Sequence, residues 1–400
     1  MKNVLILDTG KEWGGGTNSL IELLKRTDKA RYRFTAMFYN NCKKGDHSDV
    51  KTEMESIGID FLLLEQKKQS GAAKILKELF RILFFFNKKL RKYSVFLVDY
   101  QFRIKPNAQR ISDTLRRLGI DLLYMNNQPS TNMEGILASK ETGVPVLQHS
   151  RIEATLNSFE VRTVNRWLKK IICVSEGVRD SLIRQGVAPS KCAVVHNGIY
   201  GATQPAIAPW KLRRELMISD GDILIGTVGS LVKRKRISDL IEAVSLIMRG
   251  SKHPAKCIIV GEGPEQDNLA AHIRKRALHN VLLTGFQPDA ISFINMMDIF
   301  VLPSEQEGLP RVILEAMLLA KPVIASNVTG PSELVLDRET GFLVPSKNPE
   351  EIANALLKLL DSPELREQMG QKGRKRVIER FSIERYVAGV ENVFEEVITQ

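Results

Sequence analysis

PSEQEGLPRVILEAMLLAKPVIAS, residues 303–326, reads as the end of one strand, an acidic glycine turn, a helix and the start of a second strand. The apolar run 299–304 leads into it, and PVIAS (322–326) resumes an apolar run after it. Pro310 stands where the helix should begin, a position at which its missing N–H needs no acceptor. Strand, helix and strand in so few residues make the βαβ unit of a parallel sheet. The first turn of such a helix offers free amides and a partial positive charge, which suit a diphosphate. Glu307 precedes the turn, and Glu315 lies five residues beyond Pro310, about 7.5 Å of helical rise. Two carboxylates so spaced suit hydroxyls at the two ends of one elongated ligand. A plain solvated helix start with acidic neighbours has the same spacing, and spacing alone leaves both readings open.

Outward from this segment the pattern repeats. Strands are expected at 223–229, 256–261, 281–286, 299–304, 322–326 and 341–345, with helices at 238–249, 264–276, 288–296, 310–319 and 349–360. The segments 363–380 and 382–398 also have helical periodicity. The first half carries strand-like runs at 4–10, 34–40, 60–64, 95–98, 121–126, 144–150, 170–175 and 192–198, with helices at 17–27, 108–118 and 133–142 among them. TQPAIAPW (203–210), with two prolines and no periodicity, reads as a linker between the halves. Four hundred residues exceed what one hydrophobic core usually serves. Two consecutive open α/β units place a ligand site in the cleft between them, at the carboxyl ends of the strands.

Composition narrows the function classes. The chain is 43% hydrophobic and 26% charged, the balance of an ordinary globular protein. Cys42, Cys173, Cys192 and Cys257 are scattered, with neither a CxxC pair nor a histidine spacing suited to zinc, and are expected as reduced thiols of a cytoplasmic protein. MKNVLILDTG is too short an apolar run for a signal peptide and reads as a first strand. No stretch of about 18 uncharged apolar residues is present to span a bilayer. Asp220–Gly221–Asp222, the one plain acidic D-x-D, precedes a strand and reads as a turn, so no metal is expected. The net charge of +12 belongs to the first half, where 33 basic residues face 20 acidic ones against 25 and 26 in the second. Residues 67–117 carry 14 basic and three acidic side chains. Within them, KILKELFRILFFFNKKLRK (74–92) combines an apolar stripe with basic residues. It suits either an anionic membrane interface or a core-packed helix with a solvated basic face. A nucleic-acid partner is disfavoured, because the basic stretch lacks interleaved aromatics apart from one phenylalanine cluster.

The ordered set of motifs is more specific than any one of them. E-GLPRVIL-E (307–315), followed by A-M and K-P-V-I-A-S, resembles the signature of retaining glycosyltransferase family 4. The same order holds for GGGT (14–17), His149 after a strand, VSE (174–176), HNGI (196–199), GSLVKRK (229–235), GEGP (261–264), TGF (284–286), GPSEL (330–334) and GFLVP (341–345). The resemblance implies a GT-B fold, two Rossmann-like domains facing each other across a cleft. The domains would be 1–200 on the acceptor side and 201–381 on the nucleotide-sugar side, with the C-terminal helix 382–400 returning to the first. It implies a UDP- or GDP-sugar donor, a glycan or lipid-linked glycan acceptor, and no metal. Lys235 would neutralise the donor diphosphate, and Ser230 stands where the family carries an arginine, a role Arg234 or Arg236 could take over. Glu315 would bind the ribose and Glu307 the transferred sugar. Backbone amides around Gly308–Arg311, a stretch that includes Leu309 and the donor-less Pro310, would hold phosphate or sugar oxygens. Gly15 and Gly16 would let the backbone approach the phosphates, and His149 would contact the transferred sugar. Two alternatives remain beside this reading: a non-catalytic sugar-nucleotide-binding module, and another GT-B sugar-nucleotide enzyme of the glucan-synthase type.

Overall fold

The computed structural model describes residues 1–45, 48–66, 71–248 and 254–399. The first four residues of the basic stretch 67–117 and the last residue of the expected helix 238–249 lie outside them.

Strands in chain order are β1 (Lys2–Asp8), β2 (Tyr32–Phe38), a short hairpin β3 (Lys43–Lys44) and β4 (Ser48–Asp49), β5 (Asp60–Leu63), β6 (Leu122–Asn127), β7 (Val146–Ser150), β8 (Lys170–Cys173) and β9 (Cys192–Val194). After the crossing come β10 (Ile223–Val228), β11 (Ala255–Val260), β12 (Val281–Gly285), β13 (Ile299–Leu302), β14 (Val323–Ser326) and β15 (Gly341–Val344). The first sheet runs β5-β2-β1-β6-β7-β8-β9 and the second β12-β11-β10-β13-β14-β15, all pairs parallel. Each order reverses direction once, between β1 and β6 and between β10 and β13. Open parallel sheets bind ligands in the crevice at such a switch point. The fold is therefore two Rossmann-like units; GGGT, VSE, HNGI, GSLVKRK, GEGP and the acidic turn at 305–310 follow carboxyl ends of their strands, while K-P-V-I-A-S and GFLVP form β14 and β15.

The two units share packing. One buried cluster runs from Leu5, Leu7 and Met125 of the first through Ala154, Val174 and Ile199 to Leu302, Leu309 and Ile313 of the second. The last helix, Ile383–Thr399, crosses back: Tyr386, Val390 and Phe394 lie in the cluster of Val4, Ile6, Leu20 and Tyr124. The outgoing and returning strands touch, with the Ile199 amide donating to Phe381 O (2.9 Å) and the Ile383 amide to Ile199 O (3.0 Å). Gly198 permits this approach, since a methyl there would lie 2.5 Å from Ser382 O.

One expectation fails. VFLV (95–98) is not a strand but lies in the helix Lys88–Asp99, whose N-terminus is capped by Asn87 accepting from the Lys89 and Leu90 amides. This helix continues through a π-turn, Tyr100–Ile104, into Lys105–Arg117. Pro106 explains the π-turn: a proline inside a helix lacks a donor and crowds the preceding turn. The chain answers with an i to i−5 bond from the Lys105 amide to Tyr100 O. Four apolar residues with β propensity are thus outweighed by a cap and a continuous helix around them.

Candidate active site

β13 delivers Pro303 and Ser304 to the cleft, and the loop 305–310 feeds the helix Arg311–Leu318, with Pro310 in the capping position. Of the first-turn amides of that helix, that of Ile313 donates to Pro310 O (3.1 Å), which leaves those of Arg311 and Val312 without an intrahelical acceptor. Opposite, the helix Gly15–Arg26 begins directly at the glycines, without a separate glycine loop. A methyl on Gly15 would lie 3.8 Å from Arg311 Cβ, and one on Gly16 would lie 3.7 Å from Arg151 Cγ. Two helix starts, one from each sheet, therefore face each other, and the missing side chains leave the space between them open.

Two ion pairs frame this space. Lys235 Nζ lies 2.6 Å from Glu307 Oε1, with both side chains nearly buried, and Arg234 Nη1 lies 3.8 Å from Glu307 Oε2. β10 aims Lys235 here through Gly229, whose φ of +152° few other residues adopt. A methyl at Gly229 would come within 3.9 Å of Lys235 Nζ. The second pair is Arg311 Nε to Glu315 Oε1, 2.9 Å. Burial pushes the Glu315 carboxyl above its usual range, against the pull of Arg311. Ser230 contributes no side-chain bond among the described residues. Of the two arginines that could replace its missing charge, Arg236 is tied by both Nε and Nη2 to Asp239 (2.9 and 2.7 Å), whereas Arg234 stands over Glu307 and the Gln306 carbonyl.

Gly308–Arg311 is gripped by the other domain. A methyl on Gly308 would lie 1.9 Å from Arg151 O, so glycine is required by contact alone. Asn197 Nδ2 donates to Leu309 O at 2.9 Å, and Arg311 Nη1 reaches Gly198 O at 3.5 Å. Farther along the same interface Glu333 accepts from the Glu176 and Gly177 amides, both at 2.9 Å, and meets His196 Nε2 at 3.1 Å. Burial pushes the Glu333 carboxyl up, but the His196 bond and the two amides outweigh it and hold it below its usual range.

His149 is not brought into this group. Its imidazole is 0% exposed, with Nδ1 2.6 Å from Tyr124 Oη and the ring beside Tyr386 of the returning helix. Burial and the neighbouring Arg151 hold it well below the usual histidine value. The expected direct contact with a sugar is not displayed here: the ring is closed in by Tyr124 and Tyr386, and its Nε2 has no hydrogen-bond partner among the described residues. The residue that does reach the interface from this strand end is Arg151, which spacing did not single out. It donates from Nε to Asn126 (2.7 Å) and from Nη1 to Asn197 (2.9 Å). Asn126 and Asn127 in turn both donate to Asp8 at the end of β1. Asn127 keeps a φ of +91° there, a strain typical of sites whose surroundings over-determine them.

A GT-B-type sugar-nucleotide transferase is the class these two facing units and their basic, glutamate-lined cleft define. Glycosyl transferases group 1 matches residues 209–376, and Glycosyltransferase Family 4 matches 67–200. The chain belongs to the group 1 glycosyltransferases and is a glycosyltransferase. It is similar to the N-acetyl-alpha-D-glucosaminyl L-malate synthase of Bacillus anthracis, 24% identical over 82% of this chain and 88% of that one. It is also similar to an Escherichia coli UDP-Gal:alpha-D-GlcNAc-diphosphoundecaprenol alpha-1,3-galactosyltransferase, 26% identical over 71% and 77%. Among solved structures, the HepE protein of Anabaena in complex with UDP and glucose superposes with a TM-score of 0.80 over 99% of this chain and 100% of that one, at 21% identity, a likeness of fold.

Proposed function

We propose that this protein moves a sugar, with retention of anomeric configuration, from a UDP- or GDP-sugar to a saccharide or lipid-linked saccharide in the assembly of cell-surface polysaccharide or glycolipid, on the cytoplasmic side. The observation that carries it is the pairing of Glu307 with Lys235 and Arg234 beside the helix start at Arg311. Transfer passes through an oxocarbenium-like state, with positive charge on the sugar and negative charge on the leaving group. On this reading Lys235, Arg234 and the amides of Gly308, Leu309 and Arg311 stabilise the departing diphosphate, and Gly15 and Gly16 leave it room. Glu307 releases Lys235 to the phosphate and turns to the sugar, while Glu315 takes the ribose hydroxyls. Arg234 supplies the charge that Ser230 lacks. His149 is assigned a supporting part, fixing Tyr124, which lies against Arg151. The acceptor hydroxyl's oxygen bonds the anomeric carbon as the glycosidic phosphate oxygen leaves, and that phosphate accepts the hydroxyl proton on the same face. No metal takes part in this scheme, so EDTA leaves the rate unchanged.

The similarity to a UDP-Gal:alpha-D-GlcNAc-diphosphoundecaprenol galactosyltransferase, and to a structure in complex with UDP and glucose, supports the donor and acceptor classes. The domain division 1–200, 201–381 and 382–400 goes with this reading, the acceptor resting on the first. A thermal-shift panel of UDP, GDP, ADP and their sugars tests it, because a ligand stabilises in proportion to its affinity for the folded state. Stabilisation by UDP or GDP and their sugars is expected, with the product's anomeric configuration then read by NMR. Stabilisation by none of them, or an inverted product, would overturn it.

A further inference from the structure

A helical hairpin stands off the first domain with large apolar side chains uncovered. Gly71–Leu83 and Lys88–Asp99 pack against each other, joined by residues 84–87. Its base is anchored: Lys77 Nζ meets Asp99 Oδ1 at 2.5 Å, and the Phe96 and Tyr100 rings lie 5.1 and 5.6 Å from Phe159 on the helix Ser158–Trp167. Its far end is not. Ile82, Leu83, Phe85 and Phe86 are 70, 59, 75 and 70% exposed. Phe80, Phe84, Phe86 and Phe85 form a chain of ring contacts with centroids 5.7–6.5 Å apart, so the apolar surface is continuous. A patch of this kind on a monomer marks an interaction site.

Charge identifies the occupant. The hairpin carries seven basic residues and two acidic ones between 71 and 99. Among the described residues no ion pair engages Lys74, Lys88, Lys89, Arg91 or Lys92. A second copy docked about a two-fold axis would bring this basic surface against itself. An acidic polymer would leave the phenylalanines in water. An anionic lipid surface satisfies both, with acyl chains for the rings and headgroups for the ammonium groups. No helix of the described residues is long and apolar enough to cross a membrane, which leaves docking in the interface plane.

We propose that the hairpin Gly71–Asp99 docks this protein on an anionic membrane surface, Phe85 and Phe86 entering the acyl region and Lys88, Lys89 and Lys92 lying at the headgroups. The proposal rests on the transferase reading in one respect only, that a lipid-linked acceptor would then be presented to the cleft from the bilayer. It is tested by co-sedimenting the full chain with phosphatidylglycerol–phosphatidylcholine vesicles and with phosphatidylcholine alone. Binding to the anionic vesicles, weakened by salt, is expected. Phe85→Ser/Phe86→Ser should reduce it by about tenfold or more, as should Lys88→Glu/Lys89→Glu through lost and reversed headgroup attraction. Circular dichroism and turnover of a soluble acceptor check that the variants remain folded and active. Wild-type chain that ignores anionic lipid, or binding untouched by both variants, overturns the proposal. So does a dimer, seen by light scattering, that the double serine variant dissolves while vesicles bind neither protein. Vesicle binding by a chain that turns over no donor would instead sink the transferase reading and leave the docking surface standing.

Discussion

Lys235 and Glu307 neutralise each other at 2.6 Å, a pair that the proposed function requires an incoming diphosphate to open. Lys235→Ala should lower kcat/KM by about 10²–10³-fold, the usual effect of losing one group that stabilises transition-state charge. Glu307→Ala should lower it comparably, and donor turnover by that variant at the wild-type rate would remove Glu307 from the site. His149 supports a different prediction. Its imidazole is held neutral, so the unfolded chain binds a proton below its ordinary value of 6.5 that the folded protein refuses. This contribution to stability is whole above about pH 6.5 and shrinks as pH falls. Urea denaturation of His149→Gln between pH 7 and pH 5 should show a shallower loss than wild type. An equal slope would mean that His149 takes up its proton in the folded state as well. That Lys235 lies beside Glu307 was legible through the ordered motifs that carry the resemblance, where spacing alone left the glutamates open. The burial of His149 was not, because it depends on Tyr124 and on Tyr386, 237 positions further along the chain. The part played by Arg151 was hidden for the same reason: its partners Asn126 and Asn197 come from other strand ends.

At the scale of elements, apolar periodicity located both parallel sheets, since strands buried on two faces read as unbroken hydrophobic runs. It failed at 95–98, where such a run sits inside a helix, and it overlooked Ser158–Trp167 and Glu176–Arg184. Ser158–Trp167 opens with a capping box, Asn157 with Glu160, which the sequence did display. The loop ahead of Arg311–Leu318 is closely held by the other domain. Because a methyl on Gly308 would stand 1.9 Å from Arg151 O, Gly308→Ala must push the two domains apart or shift the loop. Neither sheet's core is disturbed, so the variant should fold. Its kcat should drop by about a hundredfold, the effect of misplacing catalytic groups by an ångström. Small-angle scattering should give a larger radius of gyration than wild type. A fully active Gly308→Ala would mean that catalysis does not use this closed contact.

For the molecule as a whole, the cleft exists only while the domains stay together, and Glu333 spans them with three bonds. Its carboxylate holds two amides at the start of the helix Glu176–Arg184 and His196 beside them, and Arg376 secures the Glu333 carbonyl from behind at 2.8 Å. A hydrogen bond to a charged group contributes roughly 1.5–3 kcal/mol, and part of this is screened at a partly exposed interface. Glu333→Ala should therefore cost about 1–2 kcal/mol of closure, read as a fall of about tenfold in kcat/KM with either isolated domain's packing untouched. The sign of the pH effect follows from the direction of the shift. A carboxyl held below its usual range favours the closed form whenever it is ionised. Its contribution is complete above the ordinary glutamate value of 4.5 and is lost as pH falls through the lowered one. Scattering of the ligand-free protein should then report opening on acidification below about pH 4.5, while Glu333→Gln, which cannot ionise, should be more open than wild type at neutral pH and insensitive to that acid step. If Glu333→Gln is as closed as wild type at neutral pH, the domains are held instead by the contacts of Arg151, Asn197 and Leu309, and the carboxylate is not the latch.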